Sequence, residues 1–314
     1  MPVLNECQIL AETYRRVKNV LSALTVDHEI LFVDDGSTDG STDMLHALTR
    51  RDSAVRVMVL SRNFGQQAAY TAGLEYARGR AVILLDADLQ DPPEVIPEMV
   101  REWRNGYQVV YGHRAERKGE TWFKRASAAI FYRLLRLVAG AHAPVDVGDF
   151  KLLDRKVVEA LNRCPERSRF LRGLVSWIGF RQKAVEYVRD ARSAGETKYS
   201  LWKMARLSID AFLASSRAPL RVGTWFGAVI ALIAFIKRLV EPNDDRSRSP
   251  VRESTVFLLH GLGMLCQGLL GEYLSQVYLE TQGRPLYIVS QVWGDASPQR
   301  YHHRRRSPNP PRPK

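Results

Sequence analysis

The stretch LLDADLQDPPE, residues 84–94, places three carboxylates directly after an apolar run. That run, AVILL at 81–85, is typical of a buried strand, and Asp86, Asp88 and Asp91 follow where the strand would end. Buried strands of this kind belong to parallel sheets covered by helices on both faces, in which ligands bind beyond the carboxyl ends of the strands. The stretch therefore predicts an α/β fold with a polar site at one edge of its sheet.

Strand-like and helix-like segments alternate up to about residue 115. Three other β-rich runs are bounded by turn residues: EILFV (29–33), VRVMVL (55–60) and QVVYG (108–112). Helix-like stretches lie at roughly 7–22, 39–50, 66–78 and 92–105, with Asp39 and Pro92–Pro93 as start signals. This alternation predicts a Rossmann-like domain with a mostly parallel sheet.

Charge and cysteine content narrow the class of protein. The 314 residues carry a formal charge of +12, which favours an anionic partner. Part of that charge comes from the Pro-rich basic tail at 300–314, whose composition predicts disorder. No nucleic-acid-binding module accompanies the charge, so we expect no nucleic acid. The three cysteines are far apart in sequence, as in a reducing compartment. The N-terminus lacks an apolar signal core.

Four segments in the second half are amphipathic or apolar. Residues 166–180 and 199–213 each place apolar side chains on one helical face and basic side chains on the other, which suits packing on a sheet as well as lying at a membrane surface. Residues 222–240 would rise about 27 Å as a helix, close to the thickness of a bilayer core. Residues 256–274 form a weaker span because they include polar residues. We expect interfacial helices followed by a transmembrane hairpin.

The residue types at the strand ends indicate two kinds of contact. A D-x-D pair after a buried strand suits a hard divalent cation held by carboxylates and substrate phosphates. Asp34 and Asp35, after the 29–33 strand, can accept hydrogen bonds from a base or from ribose hydroxyls, and Gly36 allows a tight turn there. The next residues, 37–39, are more simply explained as helix-capping groups.

Several motifs in order along the chain resemble one enzyme family. They are VDDGSTDGS (33–41), LSRNFGQQAAYTAGLEYARG (60–79), LDADLQDPPE (85–94), DVGDFKLLDR (146–155), GETKYS (195–200) and GEYLSQVYLETQGRPLYIV (271–289). Together they resemble the family 2 glycosyltransferases with a GT-A fold, in the branch of dolichol-phosphate mannose synthase and the bactoprenol (undecaprenyl-phosphate) glucosyltransferases. The resemblance implies inverting transfer of a hexose from a nucleotide sugar, UDP-glucose above all, to polyprenyl phosphate at a membrane.

The resemblance also implies roles for residues on the donor side. Asp34, Asp35 and Asp86 would bind the nucleotide sugar, with Pro2, Asn5 and Glu6 as the neighbouring wall. Asp86, Asp88 and Gln90 would coordinate Mg²⁺ or Mn²⁺, and the metal would neutralise charge on the leaving diphosphate. Asp88 therefore counts with the catalytic residues.

On the acceptor side, the resemblance implies Asp149 as the base, with Asp146 as the second choice. A phosphate monoester has a second pKa near 6, so the acceptor needs little help to lose its proton, and Asp149 would orient the acceptor as much as deprotonate it. Lys151 stands where the family often has Arg, and it lacks that bidentate fork. The predicted phosphate- and acceptor-binding residues are Arg114, Arg117, Lys151, Arg169, Arg172, Arg192, Thr197 and Lys198.

The same resemblance gives a domain scheme and a location. The segments are the GT-A catalytic core (1–165), the interfacial helices and phosphate loop (166–218), the membrane hairpin (219–275), a cytoplasmic C-terminal segment (276–299) and the disordered tail (300–314). We expect a multi-pass protein of the cytoplasmic membrane with a cytoplasmic catalytic domain, and relatives suggest a homo-oligomer. Two departures from the family are a first strand reduced to MPV and a charged region at 237–255.

Other functions remain open at this point. One is a family 2 enzyme with another donor, such as GDP-mannose or an amino sugar, or with another acceptor. A processive polysaccharide synthase would carry a Q-x-x-R-W motif, which the chain lacks. The last alternative is a catalytically degraded homologue that binds membranes. The short first strand favours this alternative, and the intact acidic motifs argue against it.

Overall fold

The structure is a computed structural model that describes residues 1–114, 147–167, 169–188 and 250–294, together with isolated positions between 225 and 236. The helices are α1 (Cys7–Ala23), α2 (Ser41–Arg51), α3 (Gln66–Tyr76), α4 (Ile96–Arg104), α5 (Arg155–Arg163), α6 (Leu171–Trp177) and α7 (Pro250–Thr281). The strands are β1 (Pro2–Val3), β2 (Ile30–Asp34), β3 (Val55–Leu60), β4 (Ala81–Leu84), β5 (Val109–Arg114), β6 (Val147–Asp154), β7 (Gln182–Tyr187) and β8 (Val289–Trp293). The predicted alternation of strands and helices up to β5 is confirmed.

The described strands form two four-stranded sheets, ordered β1-β2-β3-β8 and β4-β6-β5-β7. Pairing is parallel from β1 through β3 and between β5 and β7. By contrast, β8 runs antiparallel to β3, and β6 runs antiparallel to both β4 and β5. The predicted α/β class is confirmed, but the sheets are more mixed than the mostly parallel arrangement that the alternation suggested.

Helices cover both faces of these strands. On β2, Phe32 belongs to a buried cluster that includes Leu10 of α1, while the next residue, Val33, packs with Ala69 of α3. Successive side chains of a strand point to opposite faces, so a strand buried on both faces must be apolar at consecutive positions. This requirement explains why the strand segments read as continuous apolar runs.

The first strand is as short as the sequence suggested. β1 pairs with β2 over two residues, Pro2 opposite Val33 and Val3 opposite Asp34. The amino group of Met1 donates to the carbonyl of Leu31 at 2.8 Å. Beyond Met1, the facing edges of β2 and β4 line a cavity of roughly 1090 Å³ that α1, α3 and α4 also enclose. Burial in this cavity lowers the pKa of the Met1 amino group to about 5, against the opposing influence of the Asp86 charge.

The 166–180 segment packs on the catalytic core. Within it, α6 buries Leu171 and Val175 in a cluster with Tyr70 and Leu74 of α3. Trp177, at the end of α6, is 75% exposed. The 166–180 segment was expected either to pack on the sheet or to lie at a membrane surface, and the buried face of α6 fits packing. The second amphipathic segment, 199–213, lies outside the described residues.

The predicted transmembrane hairpin is not supported. Over the residues that the structure describes, no helix combines the length and the hydropathy needed to cross a membrane. The 256–274 segment lies within α7, where the exposed polar side chains of His260, Gln267 and Glu272 interrupt the apolar sequence. The 222–240 segment is described only at isolated positions. A multi-pass arrangement consequently has no support from the described part of the chain.

The segment after α7 returns to the catalytic domain. Tyr287 donates its hydroxyl to Glu75 of α3 at 2.7 Å, and β8 then adds to the edge of β3. Trp293, the last residue of β8, stacks on His46 of α2 with ring centroids 4.4 Å apart. Part of the predicted C-terminal segment, 276–299, is thus a structural element of the catalytic fold.

Candidate active site

The loop after β2 is organised by two buried carboxylates. Asp34 accepts hydrogen bonds from the backbone N–H of Ser37 at 2.9 Å and from the Thr42 hydroxyl at 2.5 Å. Asp35 accepts from the backbone N–H groups of Phe64 and Gly65 at 2.7 and 2.9 Å. Burial raises the pKa of Asp35, and these two N–H groups act against that rise. Both carboxylates therefore hold loops in place.

The predicted neighbouring wall lies against this loop. Asn5 donates its backbone N–H to the Ser37 hydroxyl at 3.0 Å and accepts the Thr38 N–H at 2.8 Å. Glu6 donates its backbone N–H to the Ser41 hydroxyl at 3.0 Å. Pro2, the third predicted wall residue, lies in β1. The structure thus brings Asn5 and Glu6 together with the loop that carries Asp34 and Asp35.

Asp39 supports the helix starts, as the capping interpretation proposed. One of its oxygens accepts the N–H and the hydroxyl of Ser41, the first residue of α2, at 3.0 and 2.6 Å. The other accepts the N–H of Cys7, the first residue of α1, at 3.0 Å. Asp39 therefore ties α1 to α2 and has a structural role.

The D-x-D motif forms a tight turn after β4. Leu89 adopts a left-handed backbone (φ of 56°) with its side chain buried, and the Gln90 N–H donates to Asp88 at 3.1 Å. The buried hydroxyl of Thr13, from α1, donates to the Ala87 carbonyl at 2.8 Å. The turn between the two carboxylates is therefore fixed from within and from α1.

Asp86 is held by two residues of α3. One of its oxygens accepts the Tyr70 hydroxyl at 2.6 Å and the Gln66 amide at 2.7 Å. Burial raises the pKa of Asp86; the Tyr70 hydrogen bond lowers it, and the nearby negative charges of Asp88 and Asp149 raise it further. The site thus concentrates carboxylates in a half-buried place, where a cation would be favoured.

Removing the Tyr70 hydroxyl should weaken cation binding. Tyr70→Phe keeps the buried ring and deletes one hydrogen bond to a charged group, and partners that orient a metal ligand typically contribute 10–100-fold in affinity. We expect Mn²⁺ titration to show about a tenfold loss of affinity. Tyr14→Phe, which removes a similar hydrogen bond to Asp52 at 2.9 Å, is the matched control. Equal Mn²⁺ affinity in both variants would contradict this role for Tyr70.

Asp91, the third carboxylate of the opening stretch, has a different partner. Its side chain is buried and accepts the Tyr187 hydroxyl at 2.5 Å, which links the turn to β7. No side-chain cap precedes the helical turn that begins at Pro93. The Asp91 carboxylate therefore turns into the core and does not cap this helical turn.

On the acceptor side, Asp149 is paired with an arginine. Arg172 of α6 donates from Nε and Nη2 to the two Asp149 oxygens at 2.8 and 2.9 Å. Lys151, on the same strand as Asp149, is buried and donates from Nζ to the Gly148 carbonyl at 2.6 Å. Burial lowers the pKa of Lys151 to about 8, although the Asp149 charge raises it. Two of the predicted acceptor residues thus gather around the predicted base.

The other predicted acceptor residues do not join this group in the described structure. Arg169 donates to the carbonyls of Cys164 and Glu166, which holds its own turn. Arg114 ends β5, and only its backbone is described. The remaining predicted residues fall outside the described part of the chain: Arg117, Asp146, Arg192, Thr197 and Lys198.

The donor set fits a hard cation only in part. Among the described residues, no group of three or more His, Cys, Asp or Glu side chains is arranged to hold a metal ion. Asp86 and Asp88 supply carboxylate oxygens, and Gln90 is buried in the same turn. Mg²⁺ is usually bound by one or two carboxylates plus substrate phosphates, so this pair fits a cation that arrives with a nucleotide.

Four supporting residues were not identified from the sequence: Thr13, Gln66, Tyr70 and Tyr187. Each lies on a helix or strand remote from the motif that it supports, and each contributes a neutral hydrogen-bond donor. Gln66 and Tyr70 do fall in the 60–79 segment that resembles the family, and their i, i+4 spacing places them on one helical face.

Fold and site define a class of protein: an α/β enzyme with a GT-A-like fold and acidic groups at the strand ends. The chain matches the model of glycosyl transferase family 2 over residues 1–161, and it belongs to that family. It is accordingly a glycosyltransferase.

Relatives are similar over nearly the whole chain. An uncharacterized glycosyltransferase, YkcC of Bacillus subtilis, is 45% identical over 94% of this chain and 93% of its own. A prophage bactoprenol glucosyl transferase homolog of Escherichia coli is 37% identical over 93% of this chain and 97% of its own. Among solved structures, the chain is similar to glucosyl-3-phosphoglycerate synthase from Mycobacterium tuberculosis, with 19% sequence identity and a TM-score of 0.43. That match covers 66% of this chain and 74% of the synthase chain.

Proposed function

We propose that this glycosyltransferase moves a hexose, glucose from UDP-glucose, onto a polyprenyl phosphate such as undecaprenyl phosphate. The observation that supports this most is the 37% identity to a prophage bactoprenol glucosyl transferase homolog of Escherichia coli and to bactoprenol glucosyl transferases of Shigella phages. This identity extends over 92–93% of the chain. The likeness includes the C-terminal half, beyond the 1–161 region that the family model matches.

In this proposal the donor lies along the ends of β2 and β4. Asp34 and Asp35 hold the loop that would receive the nucleotide, and Asn5, just after β1, also holds that loop. These hydrogen bonds fix the conformation of the loop, and a loop that is already ordered reduces the ordering cost of binding.

The diphosphate would meet the D-x-D turn. Asp86 and Asp88, with Gln90, would hold Mg²⁺ or Mn²⁺ there. When bound, such a cation offsets charge developing on the leaving nucleotide diphosphate. Tyr70 and Gln66 orient Asp86 for this role, and Thr13 holds the backbone of the turn.

The acceptor would approach Asp149 from the side of α6. A phosphate monoester is largely dianionic at pH 7, so its oxygen is already a nucleophile and the cationic groups Arg172 and Lys151 suit its charge. The inverted product follows from a single displacement at the anomeric carbon, in which the acceptor oxygen bonds as the diphosphate leaves.

A lipid acceptor brings the enzyme to a membrane. The described part of α7 exposes large apolar side chains, among them Met264, Leu270 and Leu274, and Trp177 is exposed at the end of α6. Apolar groups of this kind favour a bilayer interface. We propose association with the cytoplasmic face of the membrane, where nucleotide sugars occur, without assigning transmembrane segments.

A donor screen tests this function and its alternatives. Detergent-solubilised protein, undecaprenyl phosphate and Mg²⁺ are combined with UDP-glucose, GDP-mannose or a UDP-amino sugar, and released nucleoside diphosphate is measured with and without acceptor. We expect acceptor-dependent release with UDP-glucose. Preference for another donor would replace the sugar in this proposal, and release that ignores the lipid phosphate would contradict the acceptor.

A further inference from the structure

The ion pair between Asp149 and Arg172 joins a buried carboxylate to the protein surface. The Asp149 side chain is 7% exposed, whereas that of Arg172 is 45% exposed. The guanidinium therefore reaches from solvent into the site and donates to both carboxylate oxygens at 2.8 and 2.9 Å. Bidentate pairs of this kind fix orientation as well as charge.

This arrangement is poorly suited to general-base catalysis by Asp149. Taking a proton onto either oxygen would break one arm of the fork with Arg172 and remove the negative charge that Asp149 offers to the guanidinium. A hydroxyl acceptor would require such a proton transfer. A phosphate monoester would not, because its oxygen is already ionised at neutral pH.

The groups around the Asp149–Arg172 ion pair favour binding of an anion on its solvent-exposed side. Lys151, which is buried, adds a second cation near Asp149, and its Nζ lies 2.6 Å from the Gly148 carbonyl. Arginine has a planar fork of donors that can keep one edge on a carboxylate while it turns another toward a phosphate, which a lysine ammonium does less well.

We propose that Asp149 is a positioning carboxylate, which holds Arg172 so that its guanidinium receives the phosphate of the acceptor. The proposal rests on the proposed function and specifies it: the acceptor is a phosphate monoester recognised by an aspartate-oriented arginine, and Asp149 removes no proton. Arg172 binds the acceptor, and Asp149 acts through Arg172.

A double-mutant cycle tests this assignment. The acceptor KM and the kcat are measured for Asp149→Asn, Arg172→Gln and the double variant with undecaprenyl phosphate. We expect each single variant to raise the acceptor KM about tenfold or more, while kcat at saturating acceptor stays within about threefold of the wild type. The acceptor KM of the double variant should be no higher than that of the more impaired single variant. Arg172→Lys should recover part of the loss, because it keeps the charge without the fork.

The opposite pattern would identify a base. If Asp149→Asn lowers kcat by about 10²–10⁴ at saturating acceptor while Arg172→Gln leaves kcat unchanged, Asp149 transfers a proton and the proposal is overturned. Additive losses of the two single variants would also overturn it, since independent groups do not show coupling.

A binding measurement separates this proposal from the proposed function. Farnesyl phosphate, a short prenyl phosphate, is titrated into wild type and variants without donor, and the unfolding midpoint is followed. We expect stabilisation of the wild type and of the control Arg163→Gln, on the exposed side of α5, and its loss in Arg172→Gln and Asp149→Asn. Equal stabilisation of all four proteins contradicts the positioning role, whether or not sugar transfer is found. If the wild type transfers no sugar but the variants bind farnesyl phosphate in the expected pattern, the proposed function is contradicted and the positioning role of Asp149 is not.

Discussion

Asp88→Asn should reduce sugar transfer by at least about a hundredfold while leaving the fold intact. The substitution removes one of two carboxylates at the D-x-D turn, and losing a group that stabilises charge in the transition state typically costs 10²–10³ in kcat. The side chain keeps its size, and its oxygen can still accept the Gln90 N–H, which now lies at 3.1 Å from the Asp88 carboxylate. The loss would therefore report on charge and metal binding rather than on the shape of the turn.

The measurement is kcat at saturating donor and acceptor over a range of Mg²⁺ or Mn²⁺ concentrations. Asp43→Asn, an exposed position in the first turn of α2, is the matched control and should keep the wild-type rate. If Asp88→Asn also keeps the wild-type rate at every metal concentration, the D-x-D turn is not the cation site.

Gly36→Ala should destabilise the protein and abolish tight nucleotide binding together. Gly36 has φ of 78°, and a Cβ there would lie 2.8 Å from the Arg62 carbonyl carbon and from the Asn63 nitrogen. Left-handed backbone costs a non-glycine residue roughly 1–2 kcal/mol. Since both contacts are backbone atoms, the 62–63 segment must also move. That segment leads directly to Phe64 and Gly65, whose N–H groups hold Asp35.

Gly106→Ala is the matched control, because it introduces the strain of a left-handed backbone without the steric clash expected at position 36. Gly106, just after α4, has φ of 96° and would place a Cβ with no atom within 4 Å. We expect urea unfolding to show a loss of about 1 kcal/mol for Gly106→Ala with normal UDP affinity, and a loss of about 2–4 kcal/mol for Gly36→Ala with UDP affinity at least tenfold weaker. Similar losses and similar UDP affinities in the two variants would mean that the 62–63 contact does not support the nucleotide loop.

The first half of the fold could be predicted from local pattern alone. The run at 55–60 became β3 with the same bounds, and the run at 81–85 became β4, Ala81–Leu84. Predicted helices at 7–22 and 66–78 became α1 and α3 within two residues at each end. These elements are buried on one or both faces, so their apolar periodicity records their environment directly.

The antiparallel strands could not be predicted in this way. β8 pairs with β3 across more than 200 residues. The strand register skips Ser290, whose hydroxyl donates to the Val59 carbonyl at 3.0 Å. β6 enters between β4 and β5, and β7 joins the far side of β5. Strand order depends on contacts between distant segments, which local propensity does not contain.

The candidate site shows the same division. Motif spacing identified the carboxylates that the structure places at the strand ends, namely Asp34, Asp35, Asp86 and Asp88. It did not identify what holds them, because Thr13 and Tyr70 read as ordinary helix residues until α1 and α3 are packed against the sheet. Arg172 was expected among the phosphate- and acceptor-binding residues, and only the fold shows that it binds Asp149.

The most direct test of the account is the destination of the sugar. Purified protein in detergent is incubated with UDP-glucose labelled in the glucose, Mg²⁺ and undecaprenyl phosphate, and the label is partitioned between organic solvent and water. We predict label in the organic phase that depends on the lipid phosphate and disappears with Asp88→Asn. Label transferred only into a water-soluble product, with none in the organic phase, would contradict a polyprenyl phosphate acceptor.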